Sequence, residues 1–374
     1  MGIGRFAFTP LLPFMVRDGS LALSTGAWLA ACNYLGYLVG ALTVSRVGMP
    51  PAALMRLSLV GTAVATAAMG ALDGLAVWMA LRFLSGLLSA WTLVATSAWA
   101  LQRLEHAGRV DLSGLVYAGV GLGIAFAGLF CLAAAQPGVS SDLLWLELGA
   151  LAAVLVAIPS LVLGRPSGAS APSAATMTAD TSCSCTGLVT CYGLLGFGYI
   201  LPATFLPVLA REVMDDPQLF GLAWPVFGLA AALSTIVAAR LLTPANRLRV
   251  WAASHLLMAI GGVLPSLWLV PETIVVSALL VGSTFMVVTM IGMQEARARA
   301  PGNPTALLGR MTAAFAIGQL AGPVVSGVLN LMPGRHHDAL ALALQLAAFG
   351  LAISAAYLWR LSRTNAPNLQ ARSA

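Results

Sequence analysis

Two arginines fall inside long apolar runs. Arg5 lies in "GIGRFAFTPLLPFM" (2–15), and Arg82 in "WMALRFLSGLLSAW" (78–91). A charge placed in lipid costs about 3 kcal/mol or more, so each is a functional candidate by default. Two guanidiniums facing water would attract an anion, and each can grip a carboxylate or phosphate with paired hydrogen bonds. Arg5 has a competing reading. It is five residues from Met1 and can snorkel to the nearby water. The polar candidates for the same cavity are Asn33, Tyr37, Tyr117, Tyr199 and Gln319, each of which can equally serve as a helix–helix hydrogen bond. No Asp or Glu falls in the middle of an apolar run. Glu147 and His255 are the candidates for proton coupling, with a hydrogen-bonded structural histidine as the alternative for His255.

The elements that position these residues are set by composition. Apolar residues make up 59% of the chain and charged residues only 9%. Mean hydropathy is +0.90. Soluble domains carry roughly 25% charged residues, so this is an integral membrane protein. Its apolar runs are about 20 residues long without strict alternation, which selects helices over a barrel. The net charge of +6 rests entirely on arginine and sits in short loops, where it sets orientation and implies no nucleic acid. Cys32, Cys131 and Cys191 read as small packing residues, and the Cys183–Cys185 pair as unligated thiols in a loop. No metal or cofactor is expected. The chain has no lysine, so it has no phosphate-binding loop of the G-x-x-x-x-G-K type, and no enzyme activity is expected.

Twelve spans are predicted, at 1–16, 24–44, 52–71, 75–100, 113–135, 143–163, 187–209, 219–241, 250–270, 273–293, 307–331 and 339–359. With both termini inside, fourteen arginines fall in inner loops and the tail, and three in outer loops. The expectation is a multi-pass protein of the bacterial inner membrane with cytoplasmic termini. Residues 164–186, rich in Ala, Ser, Thr and Pro, read as a cytoplasmic linker between six-helix halves 1–163 and 187–374, the latter ending in a short cytoplasmic tail. The halves repeat. "GIGRFAFTPLLPFMVRD" (2–18) aligns with "GFGYILPATFLPVLARE" (196–212), and Gly119, Gly123 and Gly128 align with Gly318, Gly322 and Gly327. Tyr199 takes the repeat position of Arg5. Such repeats place a site at the midplane, between halves that rock to give alternating access. The run "LVTCYGLL" (188–195) has no counterpart ahead of position 2, so span 1 is expected to be truncated at its N-terminus.

These features resemble the major facilitator superfamily. After span 2, "ALTVSRVGMP" (41–50) keeps Arg46 and Gly48 of that superfamily's loop motif, with Ser45 where an aspartate is usual. The resemblance implies a gating latch, weakened here by the lost acid. "RFLSG" (82–86) is similar to its span 4 motif, and the resemblance lets Arg82 serve folding or gating. The glycines of spans 5 and 11 (Gly119, Gly123, Gly318, Gly322) with Pro323 resemble its gating helices; close packing and a bend are the roles implied. Residues 2–42 resemble the branch of uncharacterised bacterial proteins called YbfB and YjiJ. The resemblance implies a transporter fold. Joined to the two intramembrane arginines, it leads to the expectation of a secondary transporter, monomeric, for a small and anionic organic solute, with a solute or proton gradient as its energy source. Efflux of amphipathic compounds, or a transport-inactive sensor or assembly protein, are the alternatives.

Overall fold

A computed structural model describes residues 1–134, 138–162, 182–213, 221–300, 303–331 and 339–370. Among these, eleven helices are long and apolar enough to cross a membrane. They are Leu23–Thr43, Pro51–Ala71, Leu75–His106, Ser113–Ala133, Ser141–Val162, Ser182–Val213, Ala223–Leu241, Arg247–Leu267, Pro271–Arg299, Pro304–Asn330 and Ala339–Gln370. We number them spans 2 to 12. Span 1 is two helices, Gly2–Phe6 and Phe8–Arg17, meeting at Ala7. The described residues thus form twelve helical segments, as the hydropathy pattern predicts.

The helices begin and end where their chemistry says. Spans 3, 10 and 11 open on Pro51, Pro271 and Pro304, whose missing N–H costs nothing in a first turn. Gly48, after span 2, has φ +65°, a backbone that glycine adopts without strain. The joint in span 1 also has a cause. Pro10 lacks an N–H, so the Phe6 carbonyl loses its helical donor.

Two boundaries differ from the sequence reading. Most of the proposed linker lies outside the described residues, but 182–186 form the first turn of span 7, and Cys185 is buried rather than in a loop. Cys183 lies outside the residues whose side chains are described. Span 12 continues through the expected tail to Gln370, with Ser362 buried beyond the predicted end at 359.

Glycine lets backbones meet. Within the halves, Gly86 of span 4 faces the backbone of Asn33 in span 2, and Gly282 of span 10 faces that of Phe227 in span 8. The same contact recurs at matched positions, which is the repeat expressed as packing. Between the halves, span 5 packs along span 8. A Cβ on Gly121 would sit 2.6 Å from Ala232 N and from Gly228 O. Span 2 packs against span 11, where Gly309 faces the Ala41 carbonyl. On the side where span 12 ends, the halves are also joined by Arg297 to Glu105 at 3.0 Å and Gln294 Nε2 to Ser113 Oγ at 2.9 Å. On the opposite side, Asp18 accepts from the Ser141 N–H at 2.6 Å and from Arg17 Nε at 3.0 Å, tying the end of span 1 to the start of span 6.

Gly121→Leu is expected to prevent the span 5–span 8 approach and lower the melting temperature sharply. Gly119→Leu, at a position facing open space, is expected to change stability by less than about 0.5 kcal/mol; melting in detergent compares the two. Partial burial alone would raise the Asp18 carboxyl, but the Ser141 N–H and Arg17 outweigh it and hold it below its ordinary value. A depressed carboxylate stabilises the fold above its unfolded pKa of about 3.9, and that contribution fades as pH falls through the lower folded value. Asp18→Asn should therefore lower the melting temperature at pH 7 and flatten its decline in acid.

Candidate functional site

Arg5 is 5% exposed and lies where span 1 meets the other half. One terminal nitrogen donates to Oε1 of Gln319 in span 11. Its guanidinium carbon stands 3.8 Å from the centre of the Tyr37 ring. Among the described residues no carboxylate pairs with it. The Arg5 Nε and the Gln319 Nε2 are both buried donors with no hydrogen-bond partner. The Gln319 amide must present its oxygen to a guanidinium, so its NH2 group points elsewhere. Pro323 lacks an N–H, so the Gln319 backbone carbonyl also loses its helical donor. Snorkelling does not describe this arginine, since its charge is turned into the protein.

A cavity of about 20 Å³ opens beside Arg5. Five rings line it: Phe6 and Tyr37 from the first half, Tyr192, Phe285 and Phe315 from the second. Tyr199, the repeat partner of Arg5, stands behind them, stacked on Phe285 at 4.8 Å and on Phe315 at 6.0 Å.

The other candidates divide clearly. Arg82 is buried, but it donates to the Gly4 and Arg5 carbonyls at 3.4 and 3.3 Å. Ser85 Oγ adds a bond to the Gly4 carbonyl at 2.9 Å. Span 4 thus supplies donors to the first helix of span 1, just ahead of its joint. The Asn33 amide donates to the Arg82 carbonyl at 3.0 Å, so it ties span 2 to span 4. Tyr117 pairs with the Ser97 hydroxyl at 2.8 Å and lines a second cavity of about 150 Å³, with Gly119, Met1 and Gly2.

Neither proton-coupling candidate joins Arg5. Glu147 is exposed on span 6 and lines neither cavity. His255 accepts from Trp251 Nε1 at 2.9 Å through Nε2, which leaves the proton on Nδ1, facing Ser354 Oγ at 2.9 Å. That is a neutral histidine held on both nitrogens. Of the gating candidates, Arg46 is exposed, as is Ser45 beside it. Gly123 packs on Gly2, Gly318 on the Gly193 carbonyl and Gly322 on Ile200, while Gly119 is open. The span 11 helix runs through Pro323 without a break.

Tyr192, Phe285 and Phe315 escaped the sequence reading. Aromatic residues in an apolar span carry no mark that separates cavity from lipid. Tyr192 had a signal, since it precedes Tyr199 by seven residues and shares its helix face.

Twelve helical segments, eleven of them long and apolar enough to cross a membrane, with matched packing contacts, are the fold of the major facilitator class of transporters. The chain belongs to the family described as uncharacterised MFS-type transporter YbfB, whose profile matches residues 1–358. No curated protein matches it. Among solved structures, the human organic anion transporter MFSD10 (TETRAN) is similar, with a TM-score of 0.68 and 16% identity. The match covers 94% of this chain and 89% of that one, and shows a shared fold.

The two arginines should separate in mutation. Arg82→Gln strands buried carbonyls of span 1, and each lost charge-assisted bond is worth about 1.5–3 kcal/mol. A marked fall in melting temperature is expected. Arg5→Gln gives up one such bond, to the Gln319 amide, and leaves no backbone carbonyl stranded, so it should melt closer to wild type.

Proposed function

We propose that this protein is a secondary active transporter of a small organic anion, working by alternating access between its halves. One observation carries the reading. Arg5 is a buried cation held by a neutral amide and aromatic faces, with no carboxylate partner among the described residues. Buried charges are usually paired, because desolvation is costly. A solute carboxylate supplies the missing charge. A carboxylate adds charge attraction and a second oxygen for paired hydrogen bonds, neither of which the neutral Gln319 oxygen offers, so an anion outcompetes it. Arg5 belongs to the first half and Gln319 to the second. Displacing that bond therefore changes what holds the halves together, and a ligand moves such an equilibrium only through a differential contact of this kind. The similar human protein is described as an organic anion transporter, which agrees with the charge of this site by analogy of fold.

The arginine asymmetry supports cytoplasmic termini in a bacterial inner membrane. A solute or proton gradient supplies the energy, and the protein acts as a monomer. The ring lining favours efflux of amphipathic compounds as a second reading.

The test is thermal stability of the purified protein with a panel of small carboxylates. Acids at about 100 times Kd add roughly 2.7 kcal/mol of stabilisation to wild type. Arg5→Gln should show no such response. Gln319→Glu should place an internal carboxylate on Arg5, melt higher than wild type without ligand, and ignore added acid. Equal stabilisation of wild type and Arg5→Gln overturns the anion reading, and neutral amphipaths that stabilise both would favour efflux. Counterflow of a labelled acid in proteoliposomes separates a transporter from a sensor.

A further inference from the structure

The rings around Arg5 say more about the solute. We infer that the anion is an aromatic monocarboxylate, with its carboxylate on Arg5 and its ring among the aromatic side chains of both halves. This rests on the anion reading above.

The polar part of the site selects the head group. Its unpartnered groups, Arg5 Nε and Gln319 Nε2, are both donors. They call for an acceptor with two oxygens and no hydrogens, which is an ionised carboxylate. Among the described residues, Arg5 is the one charged side chain lining the cavity. A single carboxylate matches that one guanidinium, and Met1 lines the cavity beside it. An amino acid would bring an ammonium, and no described carboxylate lines the cavity to receive it. A monoanion without an amine fits.

The apolar part selects the body. Rings from spans 1, 2, 7, 10 and 11 line the cavity beside the guanidinium, and their contacts are ring to ring. Tyr192 lies 5.6 Å from Phe315, Tyr37 6.2 Å from Phe315, and Phe6 6.5 Å from Phe285. These separations match offset or edge-to-face aromatic pairs, which add about 0.5–1.5 kcal/mol beyond area burial. The network continues away from Arg5. Phe227 stacks near Phe285 at 5.4 Å and on Trp224 at 5.5 Å, and Phe227 and Trp224 line a further small cavity toward the start of span 8. A flat ring can exchange one aromatic face for the next along this series.

In this closed form the cavity beside Arg5 holds about 20 Å³, little more than a water-sized space. A ring enters when spans 1 and 11 part, and the Arg5–Gln319 bond is the one the carboxylate displaces. Head group and ring thus act on the same contact from its two sides.

The experiment compares Kd values for benzoate and cyclohexanecarboxylate, which match in charge and size, with benzyl alcohol as the uncharged control. Titration calorimetry on wild type, Arg5→Gln, Phe285→Leu and Phe315→Leu is the readout. Benzoate should bind wild type at least tenfold more tightly than cyclohexanecarboxylate. Either leucine variant should reduce that ratio at least threefold, and Arg5→Gln should abolish binding of both acids. Equal or tighter binding of cyclohexanecarboxylate, with Arg5 still required, overturns the aromatic assignment and leaves the anion reading standing. Acid binding that survives in Arg5→Gln, or no acid binding at all, overturns both. The wild-type ratio decides even if a leucine variant fails to fold.

Discussion

A guanidinium without a carboxylate partner among the described residues, buried between two halves of a membrane protein, sets the terms for everything around it. Arg5 keeps its charge in a low-dielectric place on one amide bond and aromatic faces. Cation–π contacts contribute about 0.5–2 kcal/mol each, which is less than a buried ion pair would return. The site is held together, but not neutralised. Its neighbours are arranged so that this charge is presented rather than hidden: a glutamine and not a glutamate stands opposite.

The backbone beneath Arg5 and Gln319 is prepared differently on the two sides. In span 1, Pro10 loosens the helix just after Arg5, and Arg82 with Ser85 secures the turn before the joint by taking up the Gly4 and Arg5 carbonyls. Asn33 then binds the carbonyl of Arg82, and Gly86 lets span 4 close on span 2. Spans 1, 2 and 4 form one braced unit that carries Arg5. In span 11, Pro323 removes the usual donor of the Gln319 carbonyl within an unbroken helix.

The apolar runs and the internal repeat were legible because lipid imposes both a length and a composition on a span. The two intramembrane arginines were legible for the same reason: charge is conspicuous in an apolar run. Their division of labour was not, since whether a guanidinium meets a carbonyl or a cavity depends on crossing helices. Glu147 shows the same limit, as a residue near a span end gives no sign of which way its helix turns. The helix ends at 182–186 and 360–370 were missed because a helix that runs past the apolar stretch loses its hydropathic signature, although Cys185 and Ser362 are still buried there. The ring cluster was invisible for a different reason. Phenylalanine suits lipid and cavity equally well.

The polar contacts between the halves where span 12 ends use residues other than those of the superfamily's loop motif. Ser45 replaces the acid there and Arg46 is exposed, whereas Arg297 reaches across to Glu105 and to the Ala98 carbonyl at 3.5 Å. Glu105 is 63% exposed, so screening limits that pair to about 0–1 kcal/mol. Gln294 to Ser113 adds about 1 kcal/mol as a neutral bond. These polar contacts add little to the packing of span 5 on span 8 and of span 2 on span 11. On the proposed reading, a carboxylate on the buried guanidinium, worth about 1.5–3 kcal/mol per charge-assisted bond, is at least of the scale of these polar contacts. The stronger interaction is then the one offered to the solute, and the weaker ones are those that join the halves.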